Sequence, residues 1–154
     1  MSRYLPTQLQ SKEIDVSAPQ DGELLIQLTN LQTKLEKRLS GPLSFHGISF
    51  TEFLVLRHLH QAPGKRLRRV DLAQAVGLSA SGVTRMLNPM HKTGLVDKAQ
   101  AARDARVSLV ALTDAGERVF RDADVSFQDV ARSFLAPIDS EQREALQNIT
   151  AFLL

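Results

Sequence analysis

Apolar residues return every three or four positions along several stretches of this chain, a spacing that predicts amphipathic helices rather than strands. Leu24, Leu28, Leu31, Leu35 and Leu39 form the first stripe, widened by Leu25, and Gly41-Pro42 predicts its end. Ser49 followed by Glu52 has the spacing of a capping box, and Ile48 ahead of the cap is placed to staple onto Phe53. A second helix therefore starts there, continues its apolar face through Leu56 and Leu59, and stops at Pro63-Gly64. Thr113 predicts the cap of a long helix with Phe120, Ala123, Phe127, Val130 and Phe134 on one side and Pro137 as its stop. Asp139 with Gln142 caps a last helix bearing Leu146, Ile149 and Leu153.

The middle of the chain is punctuated differently. From 68 to 90 the pattern gives two short helices separated by Gly77-Leu78-Ser79, with Gly94 as the stop of the second. Pro89 removes a backbone donor late in that helix and predicts a kink or weakening after Arg85. Residues 95–98 and 107–112 then read as two strands joined by a tip over 99–106. Residues 1–20 show no periodicity and read as a mobile or loosely docked arm. The order is helix, helix, helix, helix, hairpin, helix, helix: a mainly α chain with a small β-hairpin.

The two short helices carry a recognisable packing code. Helices that cross steeply need a small residue at the crossing, and Ala73 supplies it. The turn between them needs a residue at ease in left-handed geometry, and Gly77 stands four positions on. Six further, Val83 is the branched apolar residue that plugs the second helix into the first, with Leu78 and Met86 completing the buried set. This is the spacing of a helix-turn-helix. With Val83, Met86, Leu87 and Met90 turned inward, Ser79, Ser81, Thr84, Arg85 and Asn88 line the outer face of the second helix.

Charge sharpens that picture. Between 61 and 106 nine basic residues face three acidic ones, so this segment carries +6 while the remainder of the chain carries −4. No carboxylate occurs between Val76 and Gly94. An ordinary solvated helix would expose Glu–Lys pairs; a face of hydroxyls, an amide and an arginine suits nucleic acid. Ser79 is placed to cap the helix, whose free N–H groups also hold phosphate, and an Arg such as Arg85 takes guanine O6 and N7 with two donors. The hairpin tip, with Arg103, Asp104 and Arg106 among small residues, suits a minor groove, Asp104 orienting a guanidinium. Alternatively Asp104 and Arg106 pair only to stiffen the turn. Lys65, Arg68 and Arg69, in the run Lys65-Arg66-Leu67-Arg68-Arg69, are expected to form a turn that anchors phosphates, the alternative being a merely solvated basic run.

Other chemistries find little support. The chain has no cysteine, which excludes disulfides, thiolate metal ligands and thiol redox sensing. His58 and His60 stand two apart on a helix and point to opposite sides, so no metal site is expected. His46, just before the second helix, is either a ligand-pocket residue or a loop histidine. Gly77-Leu78-Ser79-Ala80-Ser81 lacks the final glycine of a Gly-x-Ser-x-Gly elbow, and no phosphate-binding Gly loop or His-Glu-x-x-His is present, so neither an enzyme nor a cofactor is expected. No apolar run is long enough for a membrane span, and Met1–Pro6 lacks the apolar core of a secretory signal, so a cytoplasmic protein is expected.

Leu72-Ala73, Gly77-Leu78-Ser79, Gly82-Val83-Thr84-Arg85, Gly94-Leu95-Val96, Asp104-Ala105-Arg106 and Leu112-Thr113, taken in order, resemble the signature of the multiple-antibiotic-resistance regulator (MarR) family. Ile48-Ser49-Phe50-Thr51-Glu52-Phe53 is similar to the start of that family's second helix. The resemblance runs from about Asp21 to the C-terminus. It implies a winged helix-turn-helix lobe over about 49–112 and dimerisation helices over about 21–40 and 113–154, within a domain 21–154. It further implies Ser81, Thr84 and Arg85 in a major groove, Asp104 and Arg106 in a minor groove, and a repressor relieved by a small aromatic ligand. Ala105 departs from the pattern, since many members carry an arginine there. Independently, the terminal helices carry more leucine and phenylalanine than one lobe can cover, which points to a homodimer reading a pseudopalindrome in double-stranded DNA. The alternative is a winged-helix protein-interaction module that leaves DNA alone.

Overall fold

The computed structural model describes residues 21–101 and 104–154, with the side chains of 100, 101 and 104–107 outside that description. The expected arm at 1–20 and the tip residue Arg103 also lie outside it. Six helices and three strands follow in the order α1 (Asp21–Phe45), α2 (Phe50–Gln61), β1 (Arg66–Arg68), α3 (Arg69–Ala75), α4 (Ala80–Lys92), β2 (Val96–Ala101), β3 (Asp104–Leu112), α5 (Asp114–Leu135) and α6 (Ser140–Leu153). The chain divides into two compact units, one up to Thr33 and one from Lys34 onward. In the first, the described turns of α1 expose Leu24, Leu25, Ile26, Leu28 and Leu31.

In the second unit the capping signals act where the spacing placed them. Ser49 accepts from the Glu52 N–H while the Glu52 carboxylate accepts from Ser49 N–H at 2.7 Å, closing the box at α2. Asp139 and Gln142 do the same at α6. Thr113 caps α5, accepting from Gly116 N–H at 2.9 Å, and its hydroxyl lies 2.6 Å from the Gly94 carbonyl it donates to. One side chain thus ties the start of α5 to the turn that follows α4.

α1 does not stop at Gly41-Pro42. It continues to Phe45 with Pro42 inside it. Leu39 and Leu43 are both fully buried, and that burial outweighs the one backbone donor a proline removes. Gly47 ends the helix instead: its φ of +74° lets Ile48 N–H reach back to Leu43 O and Gly47 N–H to Ser44 O. Pro89 is likewise carried within α4, which runs to Lys92 with Met90 completely buried.

The sheet is larger than a hairpin. β3 is central, pairing antiparallel with β2 on one side and with β1 on the other, where Leu67 faces Val110. The basic run expected to be a turn therefore contains a strand. The hairpin strands also reach further toward the tip, to Ala101 and from Asp104, with a break in register between Gln100 and Ala101. The core sits between α2, α3, α4, α5 and the sheet. Phe53 is fully buried in it, its ring 4.8 Å from Phe127 and 5.6 Å from Phe120, and Leu56, Leu59, Leu72, Val83, Leu87 and Val110 belong to the same cluster. Among the described residues no charged or polar residue is buried in this core.

Candidate nucleic-acid interface

α3 and α4 meet as the packing code requires. Ala73 is 5% exposed and Val83 fully buried, with Leu72, Leu87 and Met90 beside them. Gly77 takes φ +68°, which allows Leu78 N–H to reach Ala73 O at 2.9 Å and Gly77 N–H to reach Gln74 O. The chain then re-enters helix at once, because Ser79 caps α4 by accepting from Gly82 N–H at 3.1 Å.

This geometry leaves one face of α4 outward. Ser79, Ser81, Arg85 and Asn88 are exposed and Thr84 is half-buried. Their hydrogen-bonding capacity is only partly used. Ser79 and Ser81 share a hydrogen bond of 3.1 Å, and the Thr84 hydroxyl donates to Ala80 O at 2.8 Å, leaving its acceptor lone pairs to solvent. Among the described residues Arg85 has no carboxylate partner. A planar fork of donors standing free on a helix without acidic neighbours can take a bidentate acceptor from outside.

The cations flanking this face are placed less freely than the sequence suggested. Arg68 is locked to Asp71 by two hydrogen bonds of 2.6 and 2.7 Å, and this pairing draws the Asp71 carboxyl below its ordinary range. Arg69 is half-buried, its Nε without a hydrogen-bond partner. Lys65 is engaged by Glu117, a residue 52 positions away that the sequence pattern did not single out. Asp104 and Arg106 stand on β3, but their side chains are not described.

Next to α4 an open groove of about 550 Å³ is lined by Arg68, Arg69, Val70, Gln74, Leu78 and Ser108, among others. His46 does not line it; its Nε2 is 2.8 Å from Ser126 Oγ, which ties the end of α1 to α5. Among the described residues no cluster of His, Asp and Glu is arranged to hold a metal, and no helix is long and apolar enough to cross a membrane.

Two short helices that bury Ala73 and Val83 on either side of a turn at Gly77, followed by a hairpin whose root is pinned beside the second helix, define a winged helix-turn-helix protein. Residues 46–107 match the sequence profile of the MarR family. The chain thus resembles that family over its helix-turn-helix and hairpin segment. It is similar to YhbI of Bacillus subtilis (strain 168), an uncharacterized HTH-type transcriptional regulator, at 25% identity over 120 residues, covering 78% of this chain and 77% of the relative. Its fold is that of Sco3205, a MarR family transcriptional regulator from Streptomyces coelicolor solved in complex with DNA, with a TM-score of 0.78, 24% identity and 88% of each chain covered. A mutant of MarR from E. coli, solved with operator DNA, matches with a TM-score of 0.78 at 22% identity, over 87% of this chain and 96% of that one.

Proposed function

We propose that this chain is a MarR-family transcription regulator, a homodimer that binds a pseudopalindromic site in double-stranded DNA, each α4 lying in a major groove. The observation that carries the reading is the outward face of α4: Ser79, Ser81, Thr84, Arg85 and Asn88 on a helix without a carboxylate, with Arg85 unpaired among the described residues. The two solved relatives that contain DNA share this fold and support the same use of it. Arg85 and Asn88 read base edges, while Ser79, Ser81 and Thr84 meet phosphates or bases. Arg103, Asp104 and Arg106 form the wing tip that follows the adjacent minor groove, and Arg68 and Arg69 add positive charge where the backbone passes.

A second copy is called for by the apolar surface that one copy leaves bare. Ile149 is 58% exposed and Phe152 90%, on a helix that opens with a fully formed capping box. We assign to the protein a repressor's role, relieved by a small aromatic ligand. His46 and the groove beside α4 are the places for that ligand, the groove joining apolar walls to guanidinium groups at a volume usual for small-molecule sites. The reading needs no catalytic step and no cofactor, and it places the protein in the cytoplasm with the DNA.

A salt titration tests the DNA reading. Genomic fragments retained by the protein, labelled with a fluorophore, are expected to lose affinity by roughly three orders of magnitude or more between about 50 and 200 mM salt. Binding that is insensitive to salt, or no binding to any duplex, would favour the protein-interaction alternative.

A further inference from the structure

The turn between α2 and β1 is held in a conformation that its sequence does not favour. Pro63 and Gly64 form its corner, Lys65 N–H closes it on Ala62 O at 2.9 Å, and Lys65 itself then takes φ +55°. A lysine in the left-handed region is disfavoured, and it persists only where surrounding contacts over-determine it. The contact here is Glu117 in the first turns of α5. The Glu117 side chain is 13% exposed. It binds the Lys65 ammonium through one oxygen, and its other oxygen accepts from Arg121 at 2.6 Å. From α2, the ring of His60 lies tilted against Phe120, centroids 4.8 Å apart, and its Nδ1 is 3.7 Å from the same carboxylate. The Lys65 hydrogen bond draws the Glu117 carboxyl below the ordinary carboxylate range; burial opposes this, and the charges of Lys65 and Arg121 add to it.

The position of this turn gives the contact its consequence. Lys65 is followed without a break by β1, and β1 by α3, so the direction in which the chain leaves Lys65 sets where the helix-turn-helix begins. We propose that Glu117 and Lys65 are a positioning pair that fixes β1, and through it α3 and α4, against α5. Lys65 is thereby a structural cation and not the phosphate anchor that its place in a basic run suggests. The effect on DNA rests on the proposed function above; the pairing itself does not.

The test uses Lys65→Met, Glu117→Gln and the double variant of the full chain, each titrated with retained genomic fragments over a range of salt. For a positioning pair, each single variant weakens binding roughly five- to tenfold, and the double is no weaker than either single. The slope of log affinity against log salt stays at its unsubstituted value. If Lys65 instead meets a phosphate, Lys65→Met lowers that slope by about 2, one contact in each copy of the dimer, and Glu117→Gln, which frees the ammonium, tightens binding. That result overturns the proposal. Lys65→Asn separates the pair from backbone strain, because asparagine tolerates left-handed geometry without carrying charge. It is expected to bind as weakly as Lys65→Met, and recovery of full affinity would also overturn the proposal. Should the unsubstituted protein bind no duplex, the pair is still measured by the same cycle in denaturant unfolding. Coupling between the two substitutions upholds it there, and strict additivity rejects it.

Discussion

Gly116→Ala is expected to lower the stability of the fold more than alanine at any other glycine of this chain. A β-carbon at Gly116 would stand 2.0 Å from the Leu95 carbonyl oxygen and 2.9 Å from the Leu112 side chain. The first of these is backbone, at the root of the hairpin, and it is already fixed: Thr113 N–H donates to Leu95 O at 3.3 Å, and Leu95 N–H is bound to Met90 O. Neither side can yield cheaply. The methyl must pry the start of α5 away from the strands, breaking the Thr113 cap as well. A loss of about 3 kcal/mol or more follows, against a total stability of about 5–15 kcal/mol for a domain of this kind. Thermal unfolding should drop by roughly 6–12 °C. The contrast is Gly41→Ala, inside α1 with nothing within 4 Å, where the helix propensity of alanine and the crowding of a β-carbon by Pro42 oppose each other and the change stays within about 1 kcal/mol. Calorimetry of both variants checks the pair. A Gly116→Ala protein as stable as the unsubstituted one would mean that α5 does not start against Leu95.

Arg85→Ala is expected to leave the fold intact and remove discrimination between target and random duplex. Arg85 is exposed and no residue among those described pairs with it, so its loss exposes no buried partner and opens no cavity. On the proposed function, what is lost is a bidentate contact to a base edge, worth about 1–3 kcal/mol in each half-site. A homodimer loses it twice, so the ratio of specific to random affinity should fall by a factor on the order of a hundred or more. Random-duplex affinity changes far less, because phosphate contacts dominate it. Competition binding with an unlabelled random duplex separates the two quantities. Equal loss on both DNAs would demote Arg85 to a phosphate contact.

The parts of this fold that were legible in the sequence are those set by local chemistry. Ser49 with Glu52, and Asp139 with Gln142, close their boxes because the partners are three residues apart on one helical turn. Gly77 and Val83 announce the α3–α4 crossing because each satisfies a demand of the turn or the contact itself. What escaped was set at a distance. β1 has one inward residue, Leu67, between two exposed arginines, and it is a strand only because β3 offers it a ladder some forty residues later. α1 passes Gly41-Pro42 because Leu39 and Leu43 are wanted in the core, a demand that the stripe alone does not express. The pairing of Lys65 with Glu117 has no sequence signal at all. For the interface, the face of α4 followed from helical periodicity, whereas which of the flanking cations were free depended on partners such as Asp71 and Glu117.

The most direct measurement of how α4 is used is methylation interference on a retained fragment, comparing the unsubstituted protein with Arg85→Ala. The unsubstituted protein should be blocked by methyl groups at guanine N7, in two clusters about 10–10.5 base pairs apart or a multiple of that, one for each copy of α4. Arg85→Ala should lose sensitivity at one guanine in each cluster. Interference confined to adenine N3 in the minor groove, or a single cluster, would contradict a dimer that reads DNA through the outer face of α4.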